Sequence, residues 1–277
     1  MTNATAAAQT LNIQLDGATQ VIPIIGSPIA QVRSPAGMTQ EMQSHGYNAI
    51  IVPFHVQPAD CKGFFDTASK MGNVSGVIVT VPHKVMASGV CARLTERAQL
   101  LGAVNVSRRD SDGTWYGDMC DGAAMVGPIL ANGCELNGKK ALLVGAGGAG
   151  IAIAHSLLLS GVAELAVCEL DGARFEVMAQ RLSAWSDRIR RAERADPSGF
   201  DVIVNASPCG MRDTDPVPVE VDKLEPHMYV AEIITKPVIT KLLQAAAETG
   251  CRTQNGGDMF IEAQRLMARF LMGADDA

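Results

Sequence analysis

The 277-residue chain contains no apolar run reaching the ~20 residues that a membrane-crossing helix needs, so no membrane partner is expected. Basic residues never cluster, and the net charge is −6. That argues against nucleic acid, which calls for a basic patch, and against an anionic membrane surface. The seven cysteines (61, 91, 120, 134, 168, 209 and 251) are never closer than 14 residues apart. No CxxC pair therefore marks a zinc knuckle or a redox couple, and no metal site is expected. The opening stretch MTNATAAAQTLNIQLDG lacks the basic start and apolar centre of a secretory signal, and reads as a frayed tail. An odd cysteine count without such a signal fits reduced thiols in a cytoplasm, most of them small buried hydrophobes. No short-period repeat is present, and no linker rich in Gly, Pro or Ser divides the chain.

Apolar residues make up 47% of the chain, enough for a sizeable core, and the length suits two domains. The first half alternates. TQVIPIIG, YNAIIVPFHV and VSGVIVTVP read as strands; AGMTQEMQSHG, ADCKGFFDTASKMG and LTERAQLLGA read as helices, with Gly46 and Gly72 as stops. VNVSRRDSDGTWYGD reads as a hairpin turning at Asp112-Gly113. A second alternation begins near residue 121. DGAAMVGPILANG, GGAGIAIAHSLLLSG, GARFEVMAQRLSAW and KPVITKLLQAAAETG read as helices; KKALLVG, AELAVCEL, FDVIVNAS and MYVAEIIT read as strands. A last helix, GGDMFIEAQRLMARFLMG, carries an apolar face. Strands separated by helices imply parallel βαβ units and an α/β fold.

In ALLVGAGGAG the glycines Gly145, Gly147 and Gly150 follow a strand and open a helix. The first allows the tight turn, the second lets a pyrophosphate approach the backbone, and the third lets helix and strand pack closely. Gly145, Ala146, Gly147, Gly148, Ala149 and Gly150 thus form a candidate dinucleotide loop, with a helix N-terminus offering N–H groups to phosphates. Glu169, 24 residues after Gly145, ends the next strand, close to the ~20-residue spacing of a ribose-binding acid; Asp171 follows it. A carboxylate there would repel a 2′-phosphate, and Leu170 stands where an NADP site would place Arg. The expected cofactor is therefore NAD, with NADP as the alternative through Arg174 one helical turn on.

VTVPHK, GAVN, GDMCDG and VGAGGAG, in that order, resemble the shikimate dehydrogenase family. GSPIAQVRSP, NASPCGM and GGDMFIEAQ extend the resemblance over roughly residues 20–273. The resemblance implies an N-terminal α/β substrate domain (1–120, with 255–277 returning to it). It also implies a Rossmann domain with a doubly wound parallel sheet (121–254), and a cleft between the two. It implies an NAD-dependent oxidoreductase interconverting a hydroaromatic ring alcohol, shikimate- or quinate-like, and its ketone by hydride transfer. Lys84 and Asp121 match the catalytic pair. Because oxidation removes the hydroxyl proton as hydride leaves, a group must lie within hydrogen-bond reach of that oxygen. Thr80, Asn105, Ser34, Arg33 and Gln264 match or neighbour the substrate contacts. Asn205, Ala206 and Ser207 match the nicotinamide-ribose side, and Gly257 and Met259 the other side of the nicotinamide. The expected assembly is a monomer or homodimer in the cytoplasm, with a small-molecule substrate. His83 is read as structural.

The chain departs from the family pattern at the carboxylate anchor. Val32 replaces the first serine of SxSP, Ile78 an asparagine, Thr235 a tyrosine and Ala263 a glutamine, with Gln264 one place off. Hydrogen bonds to charged groups contribute ~1.5–3 kcal/mol each, so losing two would weaken a shikimate-like carboxylate about 10²–10⁴-fold. The alternatives are a dehydrogenase of a different cyclic polyol, or an NAD-binding regulator without turnover.

Overall fold

The computed structural model describes residue 13 and residues 15–274; most of the expected N-terminal tail lies outside them. The chain divides into two compact units. One runs to Asp118 and resumes at Gln264, and the other is Met119–Ala263. The last helix is thus shared, its first turns counting with the second unit, where the sequence reading gave it wholly to the first.

The first unit is built on β1 (Gln20–Gly26), α1 (Ser34–Ser44), β2 (Ala49–His55), α2 (Cys61–Ala68), β3 (Gly76–Val79), α3 (Lys84–Val90), β4 (Arg93–Leu94), α4 (Glu96–Leu101), β5 (Val106–Arg109) and β6 (Trp115–Asp118). Its sheet has the order β2-β1-β3-β5-β6-β4. β1, β2 and β3 are parallel, whereas β5 runs antiparallel to both β3 and β6. The β5–β6 hairpin turns where expected, with Gly113 at φ +85°, a conformation that L side chains rarely adopt. Apolar β1 is buried from Ile22 to Gly26 and β3 over its whole length, as strands central to a sheet are. The α2 helix stops at Ala68, before Gly72, and Arg109 caps the exposed turn by donating to the carbonyls of Ser69, Met71 and Gly72.

The second unit contains α5 (Asp121–Ala131), β7 (Lys140–Val144), α6 (Gly148–Leu159), β8 (Glu164–Cys168), α7 (Gly172–Arg181), β9 (Ile189–Ala192), β10 (Val202–Asn205), β11 (Tyr229–Glu232), α8 (Lys241–Thr249), β12 (Arg252–Gln254) and α9 (Gly256–Leu271). All six strands are parallel, in the order β12-β11-β10-β7-β8-β9. The chain starts at β7 and winds outward in both directions, so the sheet reverses its progression between β7 and β10. Ligands of open α/β sheets bind beyond the strand ends at such a switch point. Leu142, Ile203, Val230 and Leu243 centre the core on one side of this sheet. No helix among the described residues is long and apolar enough to cross a membrane.

Candidate active site

The strand VIV ends at Val79, and three expected residues follow from its backbone bonding. Thr80 donates its N–H to Ile25 O (2.9 Å), and His83 N–H returns to Thr80 O (3.0 Å), a tight turn that opens α3 with Lys84 as its first residue. Val104 N–H reaches Lys84 O (2.8 Å), and Val79 N–H reaches Asn105 O (2.8 Å). The segments that carry Thr80, Lys84 and Asn105 are therefore tied together by main-chain bonds. Gly26 is needed beside them, because a Cβ there would lie 2.6 Å from the Thr80 methyl.

Two buried side chains stiffen this corner. His83, 1% exposed, donates from Nε2 to Val56 O (2.8 Å), tying the start of α3 to the end of β2. A carbonyl can only accept, so the proton sits on Nε2. Asp118, fully buried, accepts from Thr95 Oγ1 (2.6 Å) and Arg97 Nε (2.7 Å), with a second contact to Arg97 Nη2; its carbonyl receives Asn105 N–H (2.9 Å). Beside Asp121, the first aspartate of GDMCDG thus ties Thr95 and Arg97 through its carboxylate and Asn105 through its main chain.

Ser34 is the buried first residue of α1, and the Gln264 amide lies along the same helix, 2.9 Å from where a Cβ of Gly37 would stand. Arg33 precedes them and is exposed. Asp121, 8% exposed, is the first residue of α5 in the second unit.

The glycine loop lies at the switch point. Gly145 has φ +97°, and its N–H bonds Cys168 O (2.9 Å) while Ala206 N–H bonds Val144 O (2.8 Å). Gly150 is forced: a Cβ would sit 2.2 Å from Gly145 O. Gly147 caps α6, and nothing lies within 4 Å of where its Cβ would be. A groove of about 770 Å³ opens here, lined by Gly145, Gly147, Glu169, Arg174, Ser207 and Arg212 among others. Its size suits a small-molecule ligand. Asn205, fully buried, accepts from Ser207 N–H (3.0 Å) and Oγ (2.6 Å) and donates to Cys209 O (3.1 Å), shaping the turn that carries Ala206 and Ser207 into the wall.

Gly257 and Met259 lie in the first turn of α9 and do not line the groove; Gly257 N–H is bonded to Asn255 Oδ1 (2.7 Å). Asp171 caps α7 through Ala173 N–H (2.9 Å). Arg212 was not singled out in the sequence, although it follows NASPCGM directly. A second groove, about 730 Å³ and lined by Pro23, Phe54, Phe64 and Met71 among others, contains none of the expected residues. Among the described residues no cluster of His, Cys, Asp or Glu is arranged to hold a metal.

The profile described as "Shikimate dehydrogenase substrate binding domain" matches residues 24–106. A shikimate dehydrogenase (NADP(+)) of Rubrobacter xylanophilus is 32% identical over 91% of this chain and 92% of its own. The shikimate 5-dehydrogenase of Listeria monocytogenes, solved with shikimate and NAD, superposes with TM-score 0.85 at 27% identity, covering 95% of each chain. A shikimate dehydrogenase solved with NADP+ gives 0.85 at 26%, covering 96% of this chain and 94% of its own.

These relatives overturn the expectation of NAD: the curated relatives carry NADP(+) in their names, and a structural neighbour holds NADP+. The physical reason lies in Glu169. Its Oε2 accepts Ala146 N–H (2.7 Å), tying the glycine loop to the end of β8, and its Oε1 accepts Asp171 N–H (2.9 Å) in the next turn, so both oxygens are taken. The carboxylate that spacing offered to a ribose is turned onto the protein's own backbone. Arg174 and Arg212 line the same groove, Arg174 also facing Asp171 (3.5 Å).

Proposed function

The chain belongs to the shikimate dehydrogenase family, and from that premise we propose that it oxidises, reversibly, a secondary alcohol of a shikimate- or quinate-like ring with NADP. The observation that carries this reading is the Thr80–Lys84–Asn105 cluster, polar residues of two segments, 80–84 and 104–105, that main-chain hydrogen bonds hold together at the end of a buried strand.

The open space at Gly147, the N-terminus of α6 and the two arginines fit a dinucleotide. Residues 145–150 would hold its pyrophosphate and Arg174 and Arg212 its remaining phosphate. When bound, NADP supplies the hydride acceptor. Lys84, neutral, takes the hydroxyl proton as hydride leaves carbon; in the reverse direction its ammonium returns that proton to the carbonyl oxygen. Asn105 and Thr80 bind neighbouring ring hydroxyls and fix the reacting carbon. Asp121 is assigned, by its place in the family pattern, as the second catalytic residue beside Lys84. Ser34 and the Gln264 amide offer polar groups to the far side of the ring, and Arg33 a cation to a carboxylate.

Half-buried Val32 and exposed Thr235, where the family pattern has hydroxyl-bearing serine and tyrosine, favour a weakly anchored carboxylate. The second reading, a dehydrogenase of an uncharged cyclic polyol, rests on that substitution. The test is NADP reduction followed at 340 nm with shikimate, quinate and uncharged cyclic polyols. Turnover of an acid supports the first reading, and turnover of polyols alone the second. Binding of NADP without turnover of any of them refutes both.

A further inference from the structure

Glu232 ends β11 with no exposed surface, and neither of its carboxylate oxygens has a hydrogen-bond partner of normal geometry. A buried acid of this kind is costly, and an unpaired buried polar group calls for an explanation. Its register partner on the neighbouring strand is Asn205. Asn205 holds Ser207 and Cys209, and Ser207 and Cys209 line the groove at the glycine loop. On the other side stands Thr240, 2% exposed, whose Oγ1 accepts Leu243 N–H as the cap of α8 and whose hydroxyl faces the Glu232 carboxyl. Main-chain bonds close the surroundings: Ile233 N–H to Asn205 O and Gly256 N–H to Ile234 O, both 3.1 Å.

We infer that Glu232 is a positioning residue for the dinucleotide groove, bracing the Asn205 amide and through it the 205–209 turn. Burial pushes the Glu232 carboxyl up from the ordinary range; Thr240 and Asn205, neither charged, are the only side chains that oppose the shift, by hydrogen bonding. The working form is the neutral acid. Its carbonyl oxygen accepts from the second N–H of the Asn205 amide, and its hydroxyl donates toward Thr240. An ionised carboxylate could only accept, and would draw the amide away from Cys209 O. The role is one step removed from the ligand, because no atom of the carboxylate reaches the groove.

This inference rests on the dinucleotide reading of the groove, so its test reads binding rather than turnover. NADP affinity is measured by calorimetry on the full chain for wild type, E232Q, E232A and E232M. Losing the brace is expected to weaken NADP about tenfold in E232A, the scale of one or two buried hydrogen bonds. E232M, apolar and of similar length, replaces E232A as the readout if the cavity prevents folding, with the same expected loss. E232Q, which keeps a neutral acceptor and donor, restores wild-type affinity. The inference is overturned if the folded Ala or Met variant binds NADP within threefold of wild type, since a merely structural residue would lower the melting temperature alone. It is equally overturned if Gln binds as poorly as Ala, which would mean the ionised form does the work. A wild type that binds NADP but oxidises no ring alcohol sinks the reaction and leaves this test readable. A wild type that binds no dinucleotide refutes both.

Discussion

Gly147 and Gly150 stand three residues apart in one loop, and the account assigns them opposite sensitivities to the same added methyl group. In Gly150→Ala the new Cβ would meet Gly145 O at 2.2 Å and Gly145 C at 3.0 Å. Both are backbone, held by the Gly145 N–H bond to Cys168 O, so neither can rotate away. Overpacking of this kind costs ~1–3 kcal/mol, and at ~2–4 °C per kcal/mol for a unit of this size the melting temperature should fall by about 2–12 °C. In Gly147→Ala the methyl enters empty space, at φ −71° and ψ −173°, where alanine is unstrained. Removing a glycine at a compatible position stabilises by ~0.4–1 kcal/mol, so melting should stay level or rise slightly. The same methyl stands where the pyrophosphate must approach the loop, and NADP affinity should drop at least tenfold, a loss of about 1.4 kcal/mol. Thermal melts and calorimetric titration with NADP on both variants decide the matter. A Gly147→Ala protein that binds NADP like wild type would refute the placement of the phosphates, whatever its stability.

Three further outcomes follow from the same geometry. Glu169→Gln replaces one acceptor by an NH2 that faces a backbone N–H, so the loop staple should fail by about 1–3 kcal/mol in a denaturant titration; an unchanged midpoint would show that the staple is dispensable. Burial alone would raise the Asp201 pKa, but the Lys140 N–H and the Lys139 ammonium outweigh it and hold the carboxyl below its usual range. A lowered pKa stabilises above the ordinary range and loses that contribution as pH falls through the folded value. Asp201→Asn should therefore melt below wild type at pH 7, by ~1 kcal/mol or less because the pair is partly exposed, and the gap should close as pH falls below the ordinary carboxylate range; a gap that does not shrink with acid contradicts this. Burial raises the Cys91 thiol to about 12, so it should resist alkylation at pH 8 until the chain is unfolded; rapid labelling of native Cys91 would contradict its environment.

Where the chain carries its own periodicity, the architecture was legible. The βαβ alternation, the hairpin at Asp112-Gly113 and the loop at 145–150 all announce themselves through β-branched runs and positive-φ glycines. The elements that escaped reading lack such a face. The strand Ile189–Ala192 is half charged and β12 is Arg-Thr-Gln, both at sheet edges where one side meets solvent and no apolar pattern is demanded. The α3 helix has seven residues and exposes Val85 and Met86, so no helical stripe marks it. Long-range closure explains the remainder. Spacing pointed to Glu169 as a ribose acid, and only the folded backbone reveals that Ala146 and Asp171 claim its two oxygens. Likewise Asp118 and Glu232 look like ordinary strand-end acids until their burial and their neighbours are known.

The most direct measurement is the initial rate of NADP reduction with shikimate and quinate for wild type and Lys84→Ala side by side. The account predicts turnover by wild type with at least one of the two acids. In the variant it predicts kcat lower by ~10²–10⁴, the usual worth of a positioned acid–base group, with NADP affinity and melting temperature unchanged. A variant within tenfold of wild type, or a wild type that binds NADP and reduces none of it with either acid, would contradict the assignment.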